Sequence, residues 1–207
     1  MSHKIAKHGI NPLESIDEQG RVAACMMDLE PGIRNGVRAV ILRERQLLLL
    51  RKAYEDGSER YVLPGGAQDQ GETLTEALQR ECREEIGTEV TVSGLLYLAD
   101  YFKPRTAQPQ VVRQQLELLF LCEVPGDYVA RNGHSPDKHQ DAVVWVAQDH
   151  LTNIQLSPSD LVGFLSSAEL TSHPVYLGAI KPCTGCRLTS VKTCVFWLLK
   201  SGHGWMI

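Results

Sequence analysis

One helix, marked off by its own start and stop signals, stands among many short apolar runs, and this pattern restricts the fold more than any other feature. Thr73 followed three residues later by Glu76 is a capping box. Gly87 is placed to end the helix thus begun, which predicts a helix over 73–86. Before it, the runs 37–42 and 46–51 flank Arg43-Glu44-Arg45 and read as a hairpin of buried strands. A turn at 55–58 leads to a strand at 60–63, stopped by Pro64-Gly65-Gly66. After the helix, residues 89–102 read as extended, 103–110 as a loop holding two prolines and 111–124 as a strand. A polar loop over 125–140, a strand over 142–146 and a last strand near 175–178 follow. Ser157 before Pro158 marks the start of a second helix over 158–167. Many strands with two helices favour an α+β sandwich over a regular βαβ alternation.

The first helix breaks the rule of amphipathic helices. At about 100° per residue, Leu74, Ala77, Leu78 and Cys82 form its apolar face, while Glu76, Gln79, Arg80 and Arg83 lie opposite. Glu81 falls in angle between Ala77 and Leu74, Glu85 between Leu74 and Leu78, and Glu84 beside Ala77. Three carboxylates thus project from the side that should meet the protein. Like charges so spaced repel, burial makes them costlier, and the C-terminal end of a helix disfavours anions. A hard divalent cation such as Mg²⁺ resolves the conflict, since it takes oxygen ligands and bridges carboxylates to phosphates.

The residues around this helix complete a longer pattern. Gly66, Glu72, Arg80, Glu81, Glu84, Glu85 and Gly87 stand at the spacings of the Nudix box, which the stretch 66–88 resembles. Cys82 and Thr88 occupy positions that are usually aliphatic. The wider resemblance covers roughly 36–178. It implies an α/β/α sandwich with a mixed central sheet, and a hydrolase that cleaves the diphosphate linkage of a nucleoside diphosphate derivative with Mg²⁺ or Mn²⁺. By that resemblance Glu81, Glu84 and Glu85 are metal ligands, joined by a backbone carbonyl in the Gly65–Gly66 turn. Arg80 orients the glutamates, and Glu72 pairs with Arg80 or holds a metal-bound water. Glu85 is a candidate for the base, and so is Glu117, although strand alternation favours reading Glu117 as an ordinary outward-facing residue.

The resemblance points first to ADP-ribose or a related nucleotide sugar, on the single mark of Pro104 downstream of the box. Arg105, Arg113 and Lys103 are candidate phosphate contacts, and Tyr97, Tyr101 and Phe102 are candidates to stack on a base or to fill the core. Two alternatives stand beside this reading: a housecleaning nucleoside triphosphate pyrophosphatase, and a non-catalytic module that senses a nucleotide.

The remaining sequence sets the frame. A chain of 207 residues with net charge −4 suits one main domain and gives no basic surface for nucleic acid or membrane. We expect an arm or leading strand over 1–35, the hydrolase domain over 36–180 and an appended tail over 181–207. A homodimer using the arm is an expectation from the family. The start lacks the apolar stretch of a signal peptide, so a cytoplasmic protein is expected. Cys183-Thr-Gly-Cys186 has the spacing of half a zinc site or of a redox pair, but Cys194 and His203 are too irregularly spaced to supply the other half of a zinc site, and a loop with incidental thiols is the favoured reading.

Overall fold

The computed structural model describes the backbone of residues 13–16, 22–25, 28–105 and 108–180, and side chains over 29–103 and 111–180. The cysteines and histidine of the tail, and the side chains of Pro104 and Arg105, lie outside the described residues. The chain divides into two compact units, one of Met1–Met27 with Gly185–Ile207 and one of Asp28–Thr184. In the first, β1 (Leu13–Ile16) pairs antiparallel with β2 (Val22–Cys25). The second therefore begins eight residues before the expected boundary at residue 36, with β3 (Asp28–Leu29) already paired to a central strand.

In that larger unit, β4 (Arg34–Arg43), β5 (Gln46–Ala53) and β6 (Glu59–Val62) precede helix α1 (Leu74–Ile86). The strands β7 (Thr91–Arg105), β8 (Gln108–Glu123) and β9 (Gln140–Ala147), a five-residue helix α2 (Leu161–Leu165) and β10 (Tyr176–Ile180) follow. The eight strands β3 to β10 make one mixed sheet along the path β10-β7-β8-β4-β5-β6, with β3 on β8 and β9 on β5. The expected α/β/α sandwich is the architecture found.

Both faces of this sheet are buried, and the side-chain alternation shows it. On β4, Val37, Ala39 and Ile41 enter the cluster that packs on Ala77, Leu78, Cys82 and Ile86 of α1. Val40 enters the opposite cluster with Leu161 and Leu165 of α2. On β5, Leu48 and Leu50 face one way while Leu47 and Leu49 face the other. A two-sided sheet explains the continuous apolar runs, which would alternate if one face met water.

Three expectations need correction. The β4–β5 hairpin is real only at its turn, where Leu42 pairs with Leu47 and Arg43 with Gln46. Beyond that, β4 runs parallel to β8 while β5 joins β6 and β9. The loop expected over 103–110 is mostly strand, because β7 continues to Arg105 and β8 starts at Gln108. Among the described residues the pairing of β10 with β7 ends at Tyr101, so the far end of β7 has β8 on one side only, the kind of edge at which a proline such as Pro104 is tolerated. The second helix is shorter than expected. Its N-cap is Asp160, whose side chain makes no capping bond to the helix, and residues from Pro158 form turns, with the Leu161 amide donating to the Pro158 carbonyl at 3.2 Å. No helix among the described residues is long and apolar enough to cross a membrane.

Candidate active site

Where β4 parts from β5, the segment 64–67 fills the gap. The Ala39 amide donates to the Pro64 carbonyl at 2.8 Å, and the Val37 amide to the Gly66 carbonyl at 2.9 Å. The segment is therefore an extra, irregular strand between β4 and α1. Gly65 is required by space, since an added Cβ there would stand 2.1 Å from the Val37 carbonyl oxygen. A Cβ on Gly66 would stand 2.2 Å from a Glu81 carboxylate oxygen, so α1 lays its acidic side directly against this backbone.

The helix is held at both ends. Thr73 caps it with the full reciprocal box, and Gly87 ends it in the left-handed conformation at φ 66°. Its angular anomaly is real in three dimensions. Glu85 is only 4% exposed, Glu81 16% and Glu84 32%. Glu85 accepts from the Gly65 amide at 2.7 Å. Arg80 bends back from the polar side: Nε donates to Glu72 at 2.7 Å, Nη1 to Glu81 at 2.9 Å and Nη2 to the Ala67 carbonyl at 3.0 Å. Glu84 lies 3.6 Å from Nη1.

The electrostatics follow from these contacts. The hydrogen bond from Arg80 holds Glu72 down at about 2 and, in return, lifts the Arg80 guanidinium above its ordinary value. Burial raises Glu81 against the pull of Arg80. Burial also pushes Glu85 up to about 7, although the Gly65 amide and Arg38 oppose it. Two carboxyls that lose water without gaining enough positive charge are poised to accept a cation.

The donor set fits Mg²⁺ or Mn²⁺ in kind, since it is hard oxygen throughout. In the described conformation no three side chains among His, Cys, Asp and Glu of the described residues converge closely enough to hold an ion. Arg80 takes the place between Glu72, Glu81 and Glu84, and Glu85 is turned to Gly65. Closing on an ion therefore requires those side chains to rotate. The Gly66 carbonyl, expected as a ligand, already accepts from Val37 and would have only its second lone pair to offer.

The carboxylates line a cavity of about 400 Å³ that Arg34, Asp137 and Lys138 also border. A second cavity of about 90 Å³ adjoins it and shares Arg38 and Asp137. Its walls include Lys52, Tyr101, Lys103, Glu117 and Leu161. Glu117 is not the outward-facing residue that strand alternation suggested. It is 2% exposed and accepts from Arg38 Nε at 3.1 Å and from Gln115 at 2.8 Å. Alternation misleads here because the sheet has no outward face at β8. Burial lowers Arg38, but Glu117 overrides it, and the guanidinium ends above its ordinary value.

The remaining candidates divide. Tyr101 is 5% exposed and belongs to the core while lining the second cavity, and Lys103 lines the same cavity. Tyr97 is fully buried, its hydroxyl donating to the Leu170 carbonyl, and is a core residue. Arg113 lines neither cavity and donates to Glu30 at 2.7 Å. Arg38, Lys52 and Asp137 were not anticipated. Arg38 carried a legible signal, a charge inside an otherwise apolar strand run, whereas Asp137 sits in a polar loop that offers none.

The Glu85 shift gives a pH dependence. Its carboxyl stays protonated to about 7 in the folded protein, against 4.5 as its reference value. Between these values the folded state binds more protons, so stability falls as pH rises, by about 3 kcal/mol in all, and is flat above. Metal-free protein should show this fall in Tm between pH 4.5 and 7.5, and Glu85→Gln should flatten it. An unchanged slope in that variant would assign the effect elsewhere.

A model of the NUDIX domain family matches residues 32–163. The chain is 30% identical over 126 residues to a CTP pyrophosphohydrolase of Escherichia coli, covering 60% of this chain and 84% of that one. It is 28% identical over 152 residues to the human 8-oxo-dGDP phosphatase NUDT18, covering 71% of this chain and 43% of that one. Against the zebrafish 8-oxo-dGDP phosphatase NUDT18 it spans 37% of the relative's length. Among solved structures, a UDP-X diphosphatase superposes with a TM-score of 0.53 at 21% identity, over 71% of this chain and 68% of that one. At that identity the likeness is one of fold alone.

Proposed function

The chain belongs to the NUDIX family, and from that premise we propose that it hydrolyses the diphosphate linkage of a free nucleoside di- or triphosphate with a divalent cation. The observation that carries this reading is the acidic wall of Glu81, Glu84 and Glu85, set against Gly65–Gly66 and facing a second cavity bordered by Arg38, Lys52 and Lys103. The first wall suits a cation and the second suits phosphate oxygens. Relatives named for CTP and 8-oxo-dGDP favour free nucleotides over ADP-ribose, which rested on Pro104 alone.

Glu81, Glu84 and Glu85 would hold the cation, which when bound acidifies water and offsets charge on the phosphoryl oxygens. Arg80, fixed by Glu72 and Ala67, holds the Glu81 carboxylate at the site until an ion would take its place. Arg38 and Lys52 draw the phosphate chain toward the acidic wall. Glu85 is a base candidate; Glu117 is committed to Arg38 and Gln115 and serves to hold Arg38 in the cavity.

Purified protein incubated with Mg²⁺ or Mn²⁺ should turn over CTP, 8-oxo-dGDP or another nucleotide to the monophosphate, stop on chelation and resume when Mg²⁺ is restored. ADP-ribose and a UDP-sugar belong in the same panel to place the nucleotide sugars. No turnover of any of them under either metal would sink the hydrolase reading and favour a nucleotide-sensing module.

A further inference from the structure

The polar loop between β8 and β9 does more than connect strands. It closes over the C-terminal end of α1, whose last carbonyls have no partner within the helix. The Gly133 amide donates to the Glu85 carbonyl at 2.9 Å, and the Ser135 amide to the Glu84 carbonyl at 3.0 Å. The Gln140 side-chain amide adds a second donor to the Glu85 carbonyl at 2.8 Å, and the Tyr128 hydroxyl donates to Ile86 at 2.9 Å. Glu85 takes two of these donors and Glu84 one, and both residues send their carboxylates into the site.

The approach is as close as backbone can come. A Cβ on Gly133 would stand 2.2 Å from the Glu84 carbonyl oxygen and 2.8 Å from that of Arg83. Those atoms belong to the helix backbone and cannot swing aside, so position 133 admits only glycine. Gln140 is 9% exposed and is satisfied at both ends, since its carbonyl oxygen accepts from the Asp137 amide at 3.1 Å. It thus links the helix end to Asp137, which borders both cavities and pairs with Lys52.

We propose that Gly133 and Gln140 are positioning residues: by seating the loop on the last turn of α1 they set the Glu84 and Glu85 carboxylates for the cation and place Asp137 at the junction of the cavities. This rests on the metal-dependent reading above. Gly126 provides a matched control, since it lies in the same loop and an added Cβ there meets nothing within 4 Å.

The test is Mn²⁺ binding to metal-free protein, followed by the electron paramagnetic resonance of the free ion, with folding checked by circular dichroism. Gly133→Ala and Gln140→Leu should each weaken binding by about tenfold or more, the range seen when the support of a metal ligand is removed. Gly126→Ala should match the wild type. Wild-type affinity in folded Gly133→Ala would overturn the positioning role. If Gly133→Ala does not fold, Gln140→Leu decides the matter alone, and wild-type affinity there overturns it equally. Absence of Mn²⁺ binding by the wild type would instead sink the metal reading beneath it.

Discussion

Glu84→Gln should lower kcat by about a thousandfold while leaving Tm nearly unchanged. The size follows from withdrawing several kcal/mol of metal-borne stabilisation from a charged transition state, at about 1.4 kcal/mol per factor of ten. The harmlessness to the fold follows from the contacts. Glu84 is about one-third exposed and touches Arg80 only through a 3.6 Å ion pair, and such pairs contribute about 1 kcal/mol at most. The amide is the same shape and stays wet. Steady-state turnover at saturating Mg²⁺, beside a melting curve, checks both halves. Near-normal turnover would remove Glu84 from the metal site.

Gly65→Ala should be the most destabilising single change in the site. Gly65 has φ of +124°, and its added Cβ would lie 2.1 Å from the Val37 carbonyl oxygen and 3.1 Å from the Arg38 Cα. Both neighbours are backbone of the central strand. Strain of this kind costs about 1–3 kcal/mol before the clash is counted, so the loss should be about 3 kcal/mol or more. The Gly65 amide also bonds Glu85, so activity should fall with stability. Gly57→Ala is the comparison: φ there is +78°, but nothing lies within 4 Å, so only the backbone penalty of about 1–2 kcal/mol applies. Denaturant unfolding separates the two, and equal losses would show that the close approach to Val37 is relieved at no cost.

Much of this was legible in the chain, for identifiable reasons. The helix could be read because Thr73, Glu76 and Gly87 signal its ends locally, and the acidic wall because angular position along a helix needs no tertiary information. What could not be read depends on partners distant in sequence. Glu117 looked outward because alternation assigns a residue to a face without saying whether that face meets water. Arg113 looked available because Glu30, on a segment expected to be an arm, was not expected beside it. The β4–β5 hairpin looked complete because its turn is local, while the parting of its strands is set by β8 and β9, far along the chain. Gly133 offered no signal at all, since its constraint is the helix end it touches.

Arg80 has one more consequence. Its guanidinium occupies the space among Glu72, Glu81 and Glu84, so on the metal-dependent reading proposed above these carboxylates would exchange one cation for another on loading. The local charge balance of the helix is thereby buffered against metal supply, and newly made protein can reach its native shape before it is ever loaded. Glu85, bonded to the Gly65 amide rather than to a guanidinium, would be the carboxylate whose charge such an ion changes most.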